Sequence, residues 1–84
     1  MLSLAYTRRA LQDLAELPAP DSKRIRERLN AYAAAPDSGG QDVTPLKGVT
    51  GGFRLRSGDW RAPFMVSGDE MTVYRIGHRR EVYR

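Results

Sequence analysis

Arg54, Arg56 and Arg61, followed by Arg79, Arg80 and Tyr83, are the residues of this 84-residue chain whose types and spacing suit chemistry on a phosphate. A guanidinium is planar, keeps its charge at any working pH, and can grip a phosphate through two N–H groups at once. Phe53-Arg54-Leu55-Arg56 alternates apolar and basic residues, so on a strand both arginines share one face. Arg61 has the opposite parity to Trp60, Ala62 and Phe64, and should leave their apolar face as well. Arg79, Arg80 and Tyr83 follow the last strand and could curl over its edge. Such a surface is a basic groove with an aromatic at its rim, suited to single-stranded RNA: cations for phosphates, a ring for a base. The same spacing also fits an open sheet face whose arginines meet only water.

His78 is the single histidine, set in Gly77-His78-Arg79-Arg80. It reads as a surface residue in a polar turn, or as a proton carrier near a phosphate, its ordinary pKa being about 6.5. Trp60 keeps period with Ala62 and Phe64, which favours a core position over a stacking platform. Gly48-Val49-Thr50-Gly51-Gly52 is glycine-rich but precedes a strand and lacks a Gly-Lys-Ser/Thr ending, so it is a turn and not a phosphate loop.

Other chemistries are excluded by composition. With no cysteine there is no disulfide, thiolate metal site or cysteine nucleophile. One histidine rules out a His-pair metal site or a two-histidine nuclease centre. No cofactor or metal is expected. Of the 14 basic residues only Lys23 and Lys47 are lysines. Residues 1–44 balance their charges, so the net +4 lies entirely in residues 45–84. A basic, arginine-rich half points to a polyanion, although a solvated basic face has the same composition. No apolar run approaches the roughly 20 residues that span a membrane. The first residues have the wrong order for a secretory signal, so the expectation is a soluble, cytoplasmic chain.

The elements that must position these residues follow from periodicity. Residues 1–6 read as a short strand. Thr7 can cap a helix over residues 8–17, with Ala10, Leu11, Leu14 and Leu17 at helical spacing. Asp21 or Ser22 can cap a second helix, with Ile25, Leu29, Tyr32 and Ala33 as its apolar stripe and Pro36 as its stop. Residues 37–44 are polar and glycine-rich, a loop. After Gly52 the period becomes two. Strands over residues 53–56, 60–66 and 71–76, joined at Gly58-Asp59 and Ser67-Gly68-Asp69, make a meander. Pro63 lacks a ladder donor, which predicts a bulge or an unpaired position there. The whole is one α+β domain over residues 1–84. It has an N-terminal strand, two antiparallel helices on one sheet face, then a three-stranded antiparallel meander. The first strand can pair beside the last, completing a four-stranded sheet.

Leu46-Lys47-Gly48, Phe53-Arg54-Leu55-Arg56, Gly58-Asp59-Trp60-Arg61 and Ile76-Gly77-His78-Arg79-Arg80-Glu81-Val82-Tyr83 occur in that order. The ordered set resembles the RelE branch of the RelE/ParE toxin superfamily, the toxins of bacterial type II toxin–antitoxin pairs. The resemblance spans nearly the whole chain, and the last motif is its most specific part. It implies a small α+β domain that cleaves mRNA in the ribosomal A site, a ribose 2′-hydroxyl attacking its own 3′ phosphate. It also implies a cognate antitoxin, RelB-like, acidic and partly disordered when free, with the ribosome and mRNA as the other partners.

Carried over by position, Arg61 would clamp the phosphate and Arg79 neutralise or protonate the leaving oxygen. Tyr83 would orient the 2′-hydroxyl or stack on the base. Arg54 and Arg56 would hold flanking phosphates, with Lys47 and Arg80 as further RNA contacts. The sequence departs from the family where lysine is common on the first meander strand: arginine does not give up its proton. His78, Tyr83 or ribosome-imposed alignment is then left to activate the 2′-oxygen. Ala62-Pro63 replaces bulky aliphatics, and the chain ends at Arg84 without the further helix of some members. Two other readings keep the fold: a ParE-like inhibitor of DNA gyrase, and a non-catalytic nucleic-acid-binding relative.

Overall fold

The computed structural model describes residues 1–36 and 42–78. The first strand, β1 (Ser3–Tyr6), runs into α1 (Arg8–Glu16), which packs beside α2 (Ala19–Ala34). Thr7 caps α1 as its type predicts, its hydroxyl oxygen accepting from the Ala10 N–H at 3.2 Å. The second helix begins at Ala19, ahead of the expected Asp21 or Ser22. Pro20 lies in its first turn, where an N–H has no intrahelical partner to lose. The Pro18 carbonyl accepts from the N–H groups of Asp21 and Ser22, both at 3.0 Å.

Four strands then follow the short β2 (Val43–Pro45): β3 (Gly52–Ser57), β4 (Trp60–Ser67), β5 (Glu70–Val73) and β6 (Gly77–His78). The sheet order is β1-β5-β4-β3-β2, and β6 pairs with β4 on the edge that β5 also uses. The expected meander is β3-β4-β5, with β1 beside its last strand in parallel. Composition predicts a loop over residues 37–44, yet its last two residues belong to β2. The strand forms because Val43 and Pro45 lie opposite Leu55 and Phe53, an edge pairing that local composition does not encode. Both hairpins turn in two residues, with Gly58 at φ 61° and Gly68 at φ 60°, each ahead of an aspartate without positive φ. A positive φ at the first central position is the type II′ pattern, whose twist matches the strands.

The helices cover one sheet face. Ala10, Leu14, Ile25, Leu29 and Ala33 pack on Leu55, Ala62, Phe64, Met71, Val73 and Ile76. Phe64 is fully enclosed, its ring tilted against Tyr32 at 5.4 Å and stacked on Phe53 at 5.7 Å. Leu11, expected in the α1 stripe, is 51% exposed. It lies about 100° round the helix from Ala10, and the buried arc is filled instead by Ala10, Asp13 and Leu14. Burial pushes the Tyr6 phenol above its ordinary value, with Arg26 opposing. The unfolded chain then loses this proton first, near its ordinary value of 10.0. Stability is fully present below that pH and is expected to fall as pH rises beyond it, measurable as urea midpoints at pH 9 and 11.

Pro63 sits where the ladder is interrupted. Phe64 pairs with Val73 and Arg61 with Gly77, so residues 74–76 face only Ala62 and Pro63 across the β4 edge. The anticipated bulge is there, with the extra residue on the partner side of Pro63.

Candidate nucleic-acid interface

Strand register decides which arginines meet. Arg56 is the cross-strand partner of Arg61, and Arg54 is the partner of Pro63, so all three leave the face the helices cover. The β3–β4 ladder bonds Gly51 to Val66, the Val66 N–H donating to the Gly51 carbonyl at 2.8 Å. Alternation along the ladder makes Arg56 and Arg61 a non-hydrogen-bonded pair, the kind whose side chains come closest. Two cations directly opposite each other destabilise a sheet. An anion between them removes that cost.

Their surroundings hold the arginines in place. Arg61 donates from Nη1 to the carbonyls of Gly58 (2.8 Å) and Trp60 (3.1 Å), which fixes its head at the β3–β4 turn. Arg54 donates from Nε to the Thr44 hydroxyl at 3.1 Å. Asp42, Thr44, Arg54 and Arg56 line a shallow recess of about 180 Å³. Asp42, in the same recess, is ion-paired with Arg28 of α2. A larger groove of about 390 Å³ runs between the helices, but its cations Lys23 and Arg26 are accompanied by Glu27.

The surface can bind phosphate and stabilise developing negative charge; its arginines cannot abstract a proton. Among the described residues no cluster of His, Asp and Glu could hold a metal ion. If the paired cations are built for an anion, Arg56→Thr is expected to weaken nucleic-acid binding while raising stability by roughly 0.2–1 kcal/mol, since it relieves like-charge opposition. A filter-binding titration beside a urea melt reads both. A loss of stability with unchanged binding would mark the face as merely solvated.

The remaining expected site residues are placed differently. Lys47 is exposed in the β2–β3 connection, at the end of β3 away from Arg56 and Arg61. His78 pairs with Trp60, on the face the helices cover, with the two rings edge-on at 6.1 Å. The structure therefore separates His78 from the arginine face by the thickness of the sheet. Trp60 is partly buried against the core, as its period suggests. Arg79, Arg80 and Tyr83 lie outside the described residues. Asp13 is a residue that sequence reasoning missed. It is 8% exposed and accepts from Arg9, Arg75 and the Ile76 N–H. Its signal is an acidic residue three positions after Ala10 and one before Leu14, inside the apolar stripe.

The model of the family described as the ParE toxin of the type II toxin–antitoxin system parDE matches residues 4–83. No curated protein sequence matches the chain. Among solved structures, the toxin–antitoxin complex RelB-RelE of Methanococcus jannaschii contains a chain 24% identical, with a TM-score of 0.79 and coverage of 94% of each chain. The isolated E. coli RelE toxin is 19% identical at a TM-score of 0.80, covering 99% of this chain and 92% of its own. A chain of the YoeB-YefM complex from Staphylococcus aureus is 18% identical at 0.73, covering 93% and 97%.

Proposed function

Because the chain belongs to the ParE toxin family, within the RelE/ParE superfamily of type II toxin–antitoxin toxins, we propose that it acts as a RelE-type, ribosome-dependent mRNA endoribonuclease. The observation that carries the reading is the opposition of Arg56 and Arg61 across β3–β4, with Arg54 on the same face. In the proposed reaction the ribosome bends the A-site codon so that a 2′-oxygen lines up with its 3′ phosphorus. The 2′-oxygen forms a bond to phosphorus, the bond to the 5′-oxygen breaks, and the products are a 2′,3′-cyclic phosphate and a 5′-hydroxyl. Arg61 and Arg56 stabilise the phosphorane charge, and Arg54 holds a flanking phosphate. The 2′-hydroxyl gives its proton to solvent, and the leaving 5′-oxygen, its charge neutralised by Arg79, takes one from solvent; Tyr83 orients the 2′-hydroxyl or stacks on the base. His78 lies against Trp60, which favours Tyr83 and ribosomal alignment as the means of activating the 2′-oxygen in this reading.

An antitoxin is the second partner. An acidic segment that folds on the arginine face would neutralise it in a resting cell. RelE and YoeB relatives of this fold occur in complexes with RelB and YefM.

Primer extension on a defined mRNA, with programmed ribosomes and with naked transcript, tests the reading. Stops inside the A-site codon are expected only with ribosomes. The description of the matching family favours a second reading, a ParE-like inhibitor of DNA gyrase. Absence of stops, together with inhibition of gyrase supercoiling by the same preparation, would establish that one instead.

A further inference from the structure

Asp13 is the one buried ionisable side chain among the described residues, and two of its three bonds reach one feature at the far end of the chain. Oδ1 accepts from Arg9 Nε at 3.2 Å, one turn back on α1. Oδ2 accepts from Arg75 Nε at 3.2 Å and from the Ile76 N–H at 2.9 Å, residues more than sixty positions away in sequence. Arg75 and Ile76 belong to the bulge that separates β5 from β6.

At that bulge β4 is a poor template. Pro63 has no N–H, and its carbonyl receives the Tyr74 N–H at 3.3 Å. The path of residues 74–76 is instead held from α1. The Thr7 hydroxyl donates to the Tyr74 carbonyl at 3.2 Å, and Thr7 N–H donates to the Val73 carbonyl at 2.9 Å. Asp13 then takes the Ile76 N–H and the Arg75 head. Helix α1 thus grips successive residues of a segment that the sheet itself holds loosely.

Beyond the bulge the register differs by one residue from that of β4 with β5. As folded, Gly77 lies opposite Arg61 and His78 opposite Trp60. Without the extra residue, the β4–β5 register would continue and place Ile76 opposite Arg61, on the arginine face. A one-residue slip exchanges faces for every residue that follows. Burial of Ile76 and its bond to Asp13 select the same register. It is therefore Gly77, which has no side chain, that lies across from Arg61.

We infer that Asp13 is a positioning residue. By holding Arg75 and Ile76 it sets the register of β6, and so keeps Gly77 opposite Arg61 and Ile76 off the arginine face. The consequence for rate rests on the nuclease reading above; the consequence for register does not.

The test compares the full chain with Asp13→Asn, Asp13→Glu and, as control, Arg9→Ala, which removes a 60% exposed partner and leaves the Ile76 bond intact. Asparagine keeps the side chain's volume but loses the charge that satisfies two arginines. Glutamate keeps the charge but displaces it by one methylene, and decides the matter if the asparagine variant does not fold. Amide hydrogen exchange and Trp60–His78 ring cross-peaks by NMR report the register. Protection of the Ile76 and Gly77 amides is expected to drop about tenfold or more, and the ring cross-peaks to vanish, while Phe64 stays protected. Arg9→Ala is expected to match the parent. Single-turnover cleavage on programmed ribosomes is expected to slow about a hundredfold at saturation, the scale of a 1 Å misplacement. The half-saturating concentration is expected to hold, since Arg54 and Arg56 are untouched.

Retention of the ring cross-peaks and of Ile76 protection in the variants overturns the proposal whatever the activity. Loss of register with a parent-like saturating rate overturns the role in keeping the arginine face clear of Ile76. If the parent itself does not cut, the nuclease reading fails, and the NMR result alone upholds or overturns the assignment of register to Asp13.

Discussion

Replacing Arg61 by alanine is expected to lower ribosome-dependent cleavage by about 10²–10³ in kcat, the cost of removing one preorganised donor from a developing oxyanion. Arg61 is held in place by backbone carbonyls. Its Nη1 is tethered to the Gly58 and Trp60 carbonyls, so little reorganisation is needed when charge builds on phosphorus. It also opposes Arg56 directly, and the phosphate that both would grip loses half its clamp. Folding should hardly change, because a partly exposed arginine with a like-charged neighbour contributes within about 0.5 kcal/mol. Arg61→Lys should recover only part of the rate, since an ammonium cannot make the two parallel bonds of a guanidinium. The measurements are single-turnover cleavage, thermal unfolding, and growth on induction. An Arg61→Ala chain that folds normally and arrests growth as fully as the parent would remove the arginine face from the mechanism.

Phe64→Ala is expected to cost about 3–5 kcal/mol, the range for a fully enclosed phenylalanine. Phe64 is 0% exposed and joins the two halves of the core, Tyr32 from α2 and Phe53 from β3 both touching its ring. Domains of this kind are stable by about 5–15 kcal/mol, and a chain of 84 residues falls toward the low end. At about 4–8 °C per kcal/mol, the unfolding midpoint should drop by well over 10 °C. Urea denaturation followed by circular dichroism reads this directly. A loss under 1 kcal/mol would mean that the site collapses around the cavity and the rings are not in mutual contact. The variant also separates two ways of losing toxicity. Selection for non-toxic mutants should return Phe64 changes through unfolding and Arg61 changes through chemistry, and only the second class should still melt like the parent.

Much of this arrangement was legible from residue order. Thr7 before an apolar-periodic run announces a capped helix, because its hydroxyl answers an N–H that no turn can. Alternation in Phe53-Arg54-Leu55-Arg56 and the parity of Arg61 place three guanidiniums on one face, because a strand has a period of two and a two-residue hairpin preserves it. Pro63 announces a break in the ladder for want of an N–H. Each of these is a local rule, acting within a few residues, and each holds in the fold.

What only the tertiary structure decided involves residues that are distant in sequence. Its sequence neighbours group His78 with the cations, yet the one-residue bulge turns it to the Trp60 side of the sheet. Val43–Pro45 became a strand because β3 offered an edge. Leu11 was left outside because Asp13 occupies the buried arc of α1, and Asp13 is there because Arg75 and Ile76 meet it from the far end of the chain. Periodicity assigns a residue to a face; which face is covered, and which partner satisfies a buried charge, depends on contacts that form only when the chain closes on itself.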